Sequence, residues 1–223
     1  MTVWGEFIAA FGVFFLTHSL PVRPVVRTRL VAWLGQTGFT ISYSLLSLSA
    51  LAWVIGAAGR APYVVLWRWA AWQNIITLIV MLCVCILLAL SIGRPNPFSF
   101  GGARNQAFDA AKPGIIRFTR HPMLLALGLW AFAHILPNGD VAHVLLFGLF
   151  GSFAVLGGKI IDRRKKRQMG AAWGDLLHRA KGANTSFGTE NRGNLALRLL
   201  AGLIAFLALL ALHPVLFGVG PLP

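Results

Sequence analysis

Histidine is the residue type in this chain with the widest chemical range, because a neutral imidazole binds metal ions and transfers protons near neutral pH. All the histidines except His178 lie within or beside long apolar runs. An ionisable side chain within a bilayer is costly and is usually kept for a function. We therefore expect a ligand or a proton-handling group among three of them: His18, His121 and His134.

The composition indicates an integral membrane protein. Hydrophobic residues make up 57% of the 223 residues and charged residues only 12%, about half the share found in soluble domains. The formal net charge of +14 would suggest nucleic acid in a soluble protein. Here the basic residues lie between apolar runs, where they set orientation in the bilayer and contact lipid headgroups. We therefore expect no nucleic-acid partner.

The elements that must position these histidines are membrane-spanning helices. The predicted fold is all-α and polytopic, with six spans of about 20 residues each in one transmembrane domain over residues 1–223. Basic residues are concentrated in the odd-numbered loops, including loops at about 93–113 and 162–194. Because Lys and Arg mark the cytoplasmic side, both termini are predicted to lie outside. The predicted spans are Val3–Leu20, Thr37–Ala58, Ala71–Ile92, Gly114–Leu136, Val141–Ile161 and Leu195–Val219.

This topology assigns a depth to each histidine. His18 ends the first span on the cytoplasmic side, and His121 lies in the cytoplasmic third of the fourth. His134 lies near the outer end of the fourth span, and His213 lies in the outer half of the sixth. His121 and His134 are 13 residues apart, about 20 Å along a straight helix, so they cannot bind one small ion together. His18 and His121 share the cytoplasmic half and could meet across a helix pair.

Arginines near the cytoplasmic ends of the spans suit an anionic cofactor edge. A haem held between two histidines carries propionates, and guanidinium groups bind carboxylates well. Arg23, Arg117 and Arg120 lie at a suitable depth for such a contact. The run Arg163–Arg167 is predicted to contact anionic lipid headgroups.

Acidic residues give little sign of catalysis. Asp140 follows Asn138 and Gly139 and is most simply a turn residue. Asp162 opens the basic run and is predicted to form exposed ion pairs of small energy. The sequence shows no paired carboxylates, no recognisable Ser-His-Asp spacing and no phosphate-binding loop.

Several segments together resemble one family. They are LTHSLP (Leu16–Pro21), RPNPFSFGG (Arg94–Gly102), PGIIRFTRHPMLLALGLWAFAHILPNGD (Pro113–Asp140), GGKIIDRRKKRQMGAAW (Gly157–Trp173) and TSF (Thr185–Phe187). This set is similar to the NnrU family of bacterial membrane proteins. The resemblance implies a multi-pass protein of the bacterial inner membrane, connected with denitrification and nitric oxide metabolism.

The resemblance also implies a cofactor. A related plant and cyanobacterial enzyme, 15-cis-zeta-carotene isomerase, is a membrane haem b protein whose iron is held by histidines. Carried over by motif, His18 of THSL and His134 of the AH pair would be the axial ligands, with His121 of RHP nearby. The predicted depths put His18 and His134 on opposite sides of the membrane. Either Pro122 kinks the fourth span, or the loops are re-entrant, or His18 pairs with His121.

The RHP motif resembles more distantly the S-adenosylmethionine-dependent isoprenylcysteine and phospholipid methyltransferases. Those carry Tyr and Gly after RHP and a Glu-Glu pair with a later Tyr, whereas this chain has Met123, Leu124, a single Asp162 and Trp173. Three functions therefore stay open. They are a haem b protein of redox or isomerase type, a non-catalytic membrane or transport component of nitrogen-oxide metabolism, and a membrane methyltransferase.

Overall fold

A computed structural model describes residues 3–100, 102–183 and 192–223. These residues contain no β-strand, only an isolated antiparallel bridge between Val65 and Asp140. The predicted all-α class is therefore confirmed. The helices are α1 (Val3–Ser19), α2 (Pro24–Arg60), α3 (Ala71–Ser91), α4 (Pro122–Ile135), α5 (Val141–Met169), α6 (Ala171–Gly182) and α7 (Arg192–Phe217), with 3₁₀ turns at Asn105–Ala107 and Gly114–Arg117.

Four of these helices, α2, α3, α5 and α7, are long and apolar enough to cross a membrane. The most apolar window of α7 is only 6% buried, so its apolar side chains face outward, as a bilayer requires. The prediction of helices that are long and apolar enough to span a bilayer is confirmed for these four. The other two predicted spans correspond to shorter helices, because α1 has 17 described residues and α4 has 14.

The start of the predicted fourth span, Gly114–Leu136, is wrong. Residues Gly114–Arg117 form a 3₁₀ turn, and α4 begins only at Pro122. A proline disfavours helical angles in the residue before it, and His121 accordingly has φ −120° and ψ 62°. Pro122 therefore does not kink a helix but begins one, which is the helix position that tolerates proline best.

Two other predicted elements differ in extent. Helix α2 begins at Pro24 and bends at Gly35, where φ is 70°, so the predicted span Thr37–Ala58 is the part after the bend. Residues 162–182, predicted as part of a loop, are mostly helical, because α5 continues to Met169 and α6 follows. Arg and Lys are good helix formers. The rest of that loop, including most of Gly182–Asn194 and the TSF segment Thr185–Phe187, lies outside the described residues.

The chain divides into two compact units. The first comprises Met1–Trp67 with Gly139–Leu146, and the second comprises Arg68–Asn138 with Phe147–Pro223. The prediction of a single transmembrane domain is not tested by this division and stays a prediction. In the first unit, Glu6 of α1 forms an ion pair of 2.5 Å with Arg60 at the end of α2. Its core contains Phe7, Ala10, Phe11 and Phe14 of α1 with Phe39, Ala50, Val54 and Ala57 of α2.

The Asn-Gly-Asp turn also belongs to the first unit from Gly139 onward. The Gly139 carbonyl accepts hydrogen bonds from the backbone N–H groups of Leu66 (2.7 Å) and Trp67 (3.1 Å). Asp140 is only 4% exposed, and its Oδ1 accepts from the backbone N–H of Ala142 and of His143 at the start of α5. The predicted turn residue is therefore the cap of a helix N-terminus.

In the second unit, α3 packs between α4 and α7 and runs antiparallel to both. At its first turns, Thr77 donates a hydrogen bond to the Ala133 carbonyl near the end of α4, and Asn74 donates to the Pro221 carbonyl after α7. At its last turn, the Ala89 carbonyl accepts from Arg198, near the start of α7. The bundle α3–α4–α7 thus has an Asn74 end and a Ser91 end, and each end has a cavity.

Candidate functional site

The first cluster of polar side chains is centred on His121, the residue directly before α4. It is called here the His121 network and consists of Ser99, Arg120, His121 and Asp162. His121 Nε2 lies 3.0 Å from Asp162 Oδ1, and His121 Nδ1 lies 3.0 Å from Ser99 Oγ. Arg120 donates to both oxygens of Asp162, at 2.7 and 3.3 Å. Asn96 donates to the Arg120 carbonyl at 3.0 Å and so ties the loop after α3 to this point.

These contacts define the protonation of His121. A carboxylate only accepts hydrogen bonds, so Nε2 carries the proton and Nδ1 accepts from the Ser99 hydroxyl. Burial lowers the pKa of His121 from its ordinary value, although the Asp162 carboxylate acts in the opposite direction. Both ring nitrogens are thus engaged in hydrogen bonds. This geometry does not favour the predicted use of His121 as a metal ligand.

The sequence showed no recognisable Ser-His-Asp spacing, yet the structure joins these three residue types by hydrogen bonds. Ser99 is only 4% exposed and bonds to Nδ1, whereas the serine of a hydrolase triad bonds to Nε2 and the aspartate to Nδ1. The arrangement therefore holds three chain segments together. It also corrects the prediction for Asp162, which pairs with Arg120 and His121 in a partly buried site.

Asp162→Asn is expected to weaken this network. The amide keeps the shape but loses the charge that strengthens the bonds from Arg120 and His121. Because Asp162 is only 18% exposed, solvent screens these bonds weakly, and we expect a loss of about 1–2 kcal/mol, or a fall of about 2–8 °C in the melting temperature. Asp175→Asn on the exposed face of α6 is the control. Equal melting temperatures for the two variants would contradict a structural role for Asp162.

The second site is a cavity of about 330 Å³ at the Asn74 end of the bundle, called here the His134 cavity. His134 lies in the last turn of α4, and its Nδ1 lies 2.8 Å from the Trp130 carbonyl oxygen. A carbonyl only accepts, so Nδ1 carries the proton and Nε2 keeps the lone pair that binds a metal. Its ring packs against Trp130 and Phe147, with ring centroids 5.5 and 5.2 Å apart.

His213 of α7 lines the same cavity, although it was not among the ligand candidates predicted from the sequence. Its Nδ1 lies 2.8 Å from the Val219 carbonyl oxygen, so its Nε2 also keeps a lone pair. A hydrogen bond from one ring nitrogen to a backbone carbonyl is the usual arrangement that orients a metal-binding histidine. The predicted depths could have indicated this pair, because both residues were predicted to lie in the outer half of the membrane.

His18 lies in the first unit, at the end of α1. Its carbonyl accepts a hydrogen bond of 2.9 Å from the Tyr43 hydroxyl, and its Nδ1 lies 3.3 Å from the same Tyr43 oxygen. Its ring stacks on Phe14, with centroids 5.4 Å apart. Because His121 and His134 belong to the second unit, the pairing of His18 with either stays a prediction.

The arginines predicted to meet a haem edge lie at the other end of α4 from His134. Arg117 ends the 3₁₀ turn before α4, and Arg120 is bound to Asp162. Arg120 is separated from His134 by the length of α4, about 20 Å. Lys and Arg do not occur among the described residues that line the His134 cavity.

The family of the chain is shown by its sequence over nearly the whole length. The family model described as NnrU protein matches residues 6–221. The chain belongs to the NnrU family. No curated protein and no solved structure matches it. The NnrU match includes His18, the His121 network and both histidines of the His134 cavity.

Possible metal ligands of this NnrU family member were compared within the described part of the chain. In residues 3–100, 102–183 and 192–223, no group of three or more His, Cys, Asp and Glu side chains could hold a metal ion. Among the described residues, His134 and His213 line the same cavity.

Proposed function

We propose that this NnrU family member binds haem b in the His134 cavity, where His134 and His213 would hold the iron. One observation carries the proposal. Two imidazoles on different helices line one cavity, and in each the Nδ1 proton is held by a backbone carbonyl. Haem brings four ring nitrogens of its own, so it needs only one or two ligands from the protein.

The residues present fit the iron better than they fit the propionates. The imidazole pair is the ligand type that iron takes in membrane haem proteins. A volume of about 330 Å³ lies at the lower end of the range for cofactor pockets, about 300–1,000 Å³. The described residues that line the cavity include no cationic side chain, which argues against the predicted contacts of Arg117 and Arg120 with the haem propionates. The third predicted arginine, Arg23, lies in the first unit.

Bound haem would supply redox or Lewis-acid chemistry to nitric oxide or to a lipophilic substrate. The chain's own residues do three other things. Hydrogen bonds to the carbonyls of Trp130 and Val219 favour the tautomer in which Nε2 of each neutral histidine has the lone pair, and Phe147 packs against the His134 ring. Apolar side chains of α7, Phe206, Leu209 and Leu210, exclude water and give the cavity an affinity for apolar molecules.

The proposal is tested by adding ferric haem to the detergent-purified protein and recording absorption spectra. We expect a Soret band that reaches its maximum at one haem per chain. A band that keeps rising without saturation, as with haem dissolved in detergent micelles, would contradict specific binding. That result would favour a non-catalytic membrane component of nitrogen-oxide metabolism.

Six crossings with both termini outside, in a bacterial inner membrane, also form part of the proposal. The antiparallel order of α3 against α4 and α7 agrees with the predicted directions of the third, fourth and sixth spans. Helix α4 is about 21 Å long and crosses a core of about 30 Å only together with the residues on either side. The run Arg163–Arg167, mostly exposed at the end of α5, would meet anionic headgroups on the cytoplasmic side.

Cysteine labelling of intact cells tests this topology. In a background without Cys83 and Cys85, a cysteine at Leu222 is expected to react with a membrane-impermeant maleimide, because the C-terminus lies outside. A cysteine at Lys165 is expected to react only after the membrane is permeabilised. The reverse pattern would overturn the orientation, and labelling of both positions in intact cells would overturn the assignment of Lys165 to the cytoplasm.

A further inference from the structure

The second cavity of the α3–α4–α7 bundle lies at its Ser91 end and has a volume of about 240 Å³. It is called here the Arg94 cavity, and it is independent of the haem proposal. Four basic side chains line it, and Asp109 is the only acidic one among the described lining residues. The basic residues are Arg94, Arg104, Lys112 and Arg198.

Arg198 is the most firmly placed of the four. It extends from α7 to the end of α3, where its Nη1 donates to the carbonyls of Ala89 (2.7 Å) and Ile92 (3.1 Å). Its Nε is buried and has no hydrogen-bond partner among the described residues. A buried guanidinium N–H without an acceptor costs free energy, so the hydrogen-bonding capacity of Arg198 is only partly met beside the cavity.

Arg94 brings a second guanidinium to the same space. Its Nη1 packs so closely on Gly114 that a Cβ at that glycine would lie 2.7 Å away. Burial lowers the pKa of Arg94, and the positive charge of Arg198 lowers it further, although the group stays charged. Two like charges held together in a half-buried site repel each other. The acidic side chain at the same cavity is Asp109, whose Oδ1 accepts a hydrogen bond from the Ala111 backbone N–H.

Arg104 is held at the cavity by a strained backbone. Its φ of 52° and ψ of 48° are left-handed, which costs a non-glycine residue roughly 1 kcal/mol. Such strain is concentrated at functional sites. The Ala103 backbone N–H donates to the Arg94 carbonyl at 3.0 Å, so the loop returns to bring Arg104 beside Arg94.

We propose that the Arg94 cavity binds a phosphate group, held by Arg94 and Arg198 and approached by Arg104 and Lys112. Guanidinium groups match phosphate oxygens in geometry and charge. The phosphate can belong to an anionic phospholipid headgroup, because basic pockets between membrane helices bind such headgroups, or to a free phosphate compound. The chemistry that recognises either source is the same.

The test measures binding of two probes to the full-length protein. Inorganic pyrophosphate is titrated into the detergent-purified protein, and phosphatidylglycerol retention is compared with phosphatidylcholine retention by native mass spectrometry. Arg94→Gln is expected to weaken binding of the effective probe about tenfold or more. Pyrophosphate binding that depends on Arg94 indicates a soluble ligand, and phosphatidylglycerol binding that depends on Arg94 indicates a lipid.

Two further variants keep the result interpretable. Lys181→Gln removes one positive charge from the exposed surface of α6, outside the cavity lining, and should leave binding within about twofold of the unchanged protein. Arg104→Gln removes an exposed side chain of the cavity and should weaken binding even if Arg94→Gln fails to fold. The proposal is overturned if neither probe binds, or if Lys181→Gln reduces binding as much as the cavity variants do.

Discussion

Replacing His134 with alanine is expected to abolish stoichiometric haem binding. The substitution removes the imidazole whose Nε2 is prepared for ligation by the bond from Nδ1 to the Trp130 carbonyl. Changes in the outer shell of a metal site already cost about 10–100-fold in affinity, so loss of a ligand should cost at least this much. The measurement is the Soret absorbance per chain after removal of free haem.

The matched control is His178→Ala. His178 is an exposed histidine of α6, and its loss should leave the haem content unchanged. Trp130→Phe is a second informative variant, since it removes the indole packed against His134 but keeps the backbone carbonyl. Full haem content in His134→Ala would refute the assignment of this ligand.

Replacing Gly139 with alanine is expected to produce the largest loss of stability among single methyl additions. A Cβ at Gly139 would lie 2.3 Å from the Trp67 carbonyl oxygen and 2.6 Å from Trp67 Cδ1. The carbonyl cannot move without breaking the bonds that the Gly139 carbonyl accepts from Leu66 and Trp67. We expect a cost of about 3 kcal/mol or more, measured as a fall in the melting temperature in detergent.

Gly148→Ala provides the comparison for that result. Gly148 lies within α5, and nothing lies within 4 Å of a Cβ built there. Alanine is the better helix former by about 1 kcal/mol, so this variant should melt at the same temperature or slightly higher. If Gly139→Ala and Gly148→Ala melted together, the close packing of the Asn-Gly-Asp turn against Trp67 would be disproved.

Properties that depend on local sequence could be predicted well. The composition was sufficient to predict a helical membrane protein, and the motifs were sufficient to predict the family. The separation of His121 from His134 followed from the rise of a helix, and the structure places them in different surroundings. The turn character of Asp140 followed from its neighbours Asn138 and Gly139.

Contacts between distant segments could not be predicted, because helical periodicity does not define how one helix faces another. Ser99, His121 and Asp162 come from three separate segments, and no spacing in the sequence relates them. The pairing of His134 with His213 depends on α4 and α7 packing on the same helix, α3. The late start of α4 was not predicted, because the apolar composition already begins at Ile115 and Ile116. Proline and glycine nevertheless interrupt the regular helix before α4.

The electron paramagnetic resonance spectrum of the ferric haem-loaded protein tests the central claim most directly. Two imidazole ligands give low-spin iron, so the unchanged protein should show a low-spin signal. The His213→Ala variant should lose one ligand and show a high-spin signal, while His18→Ala should keep the low-spin signal. A low-spin signal retained in His213→Ala but lost in His18→Ala would contradict the account and assign the second ligand to His18.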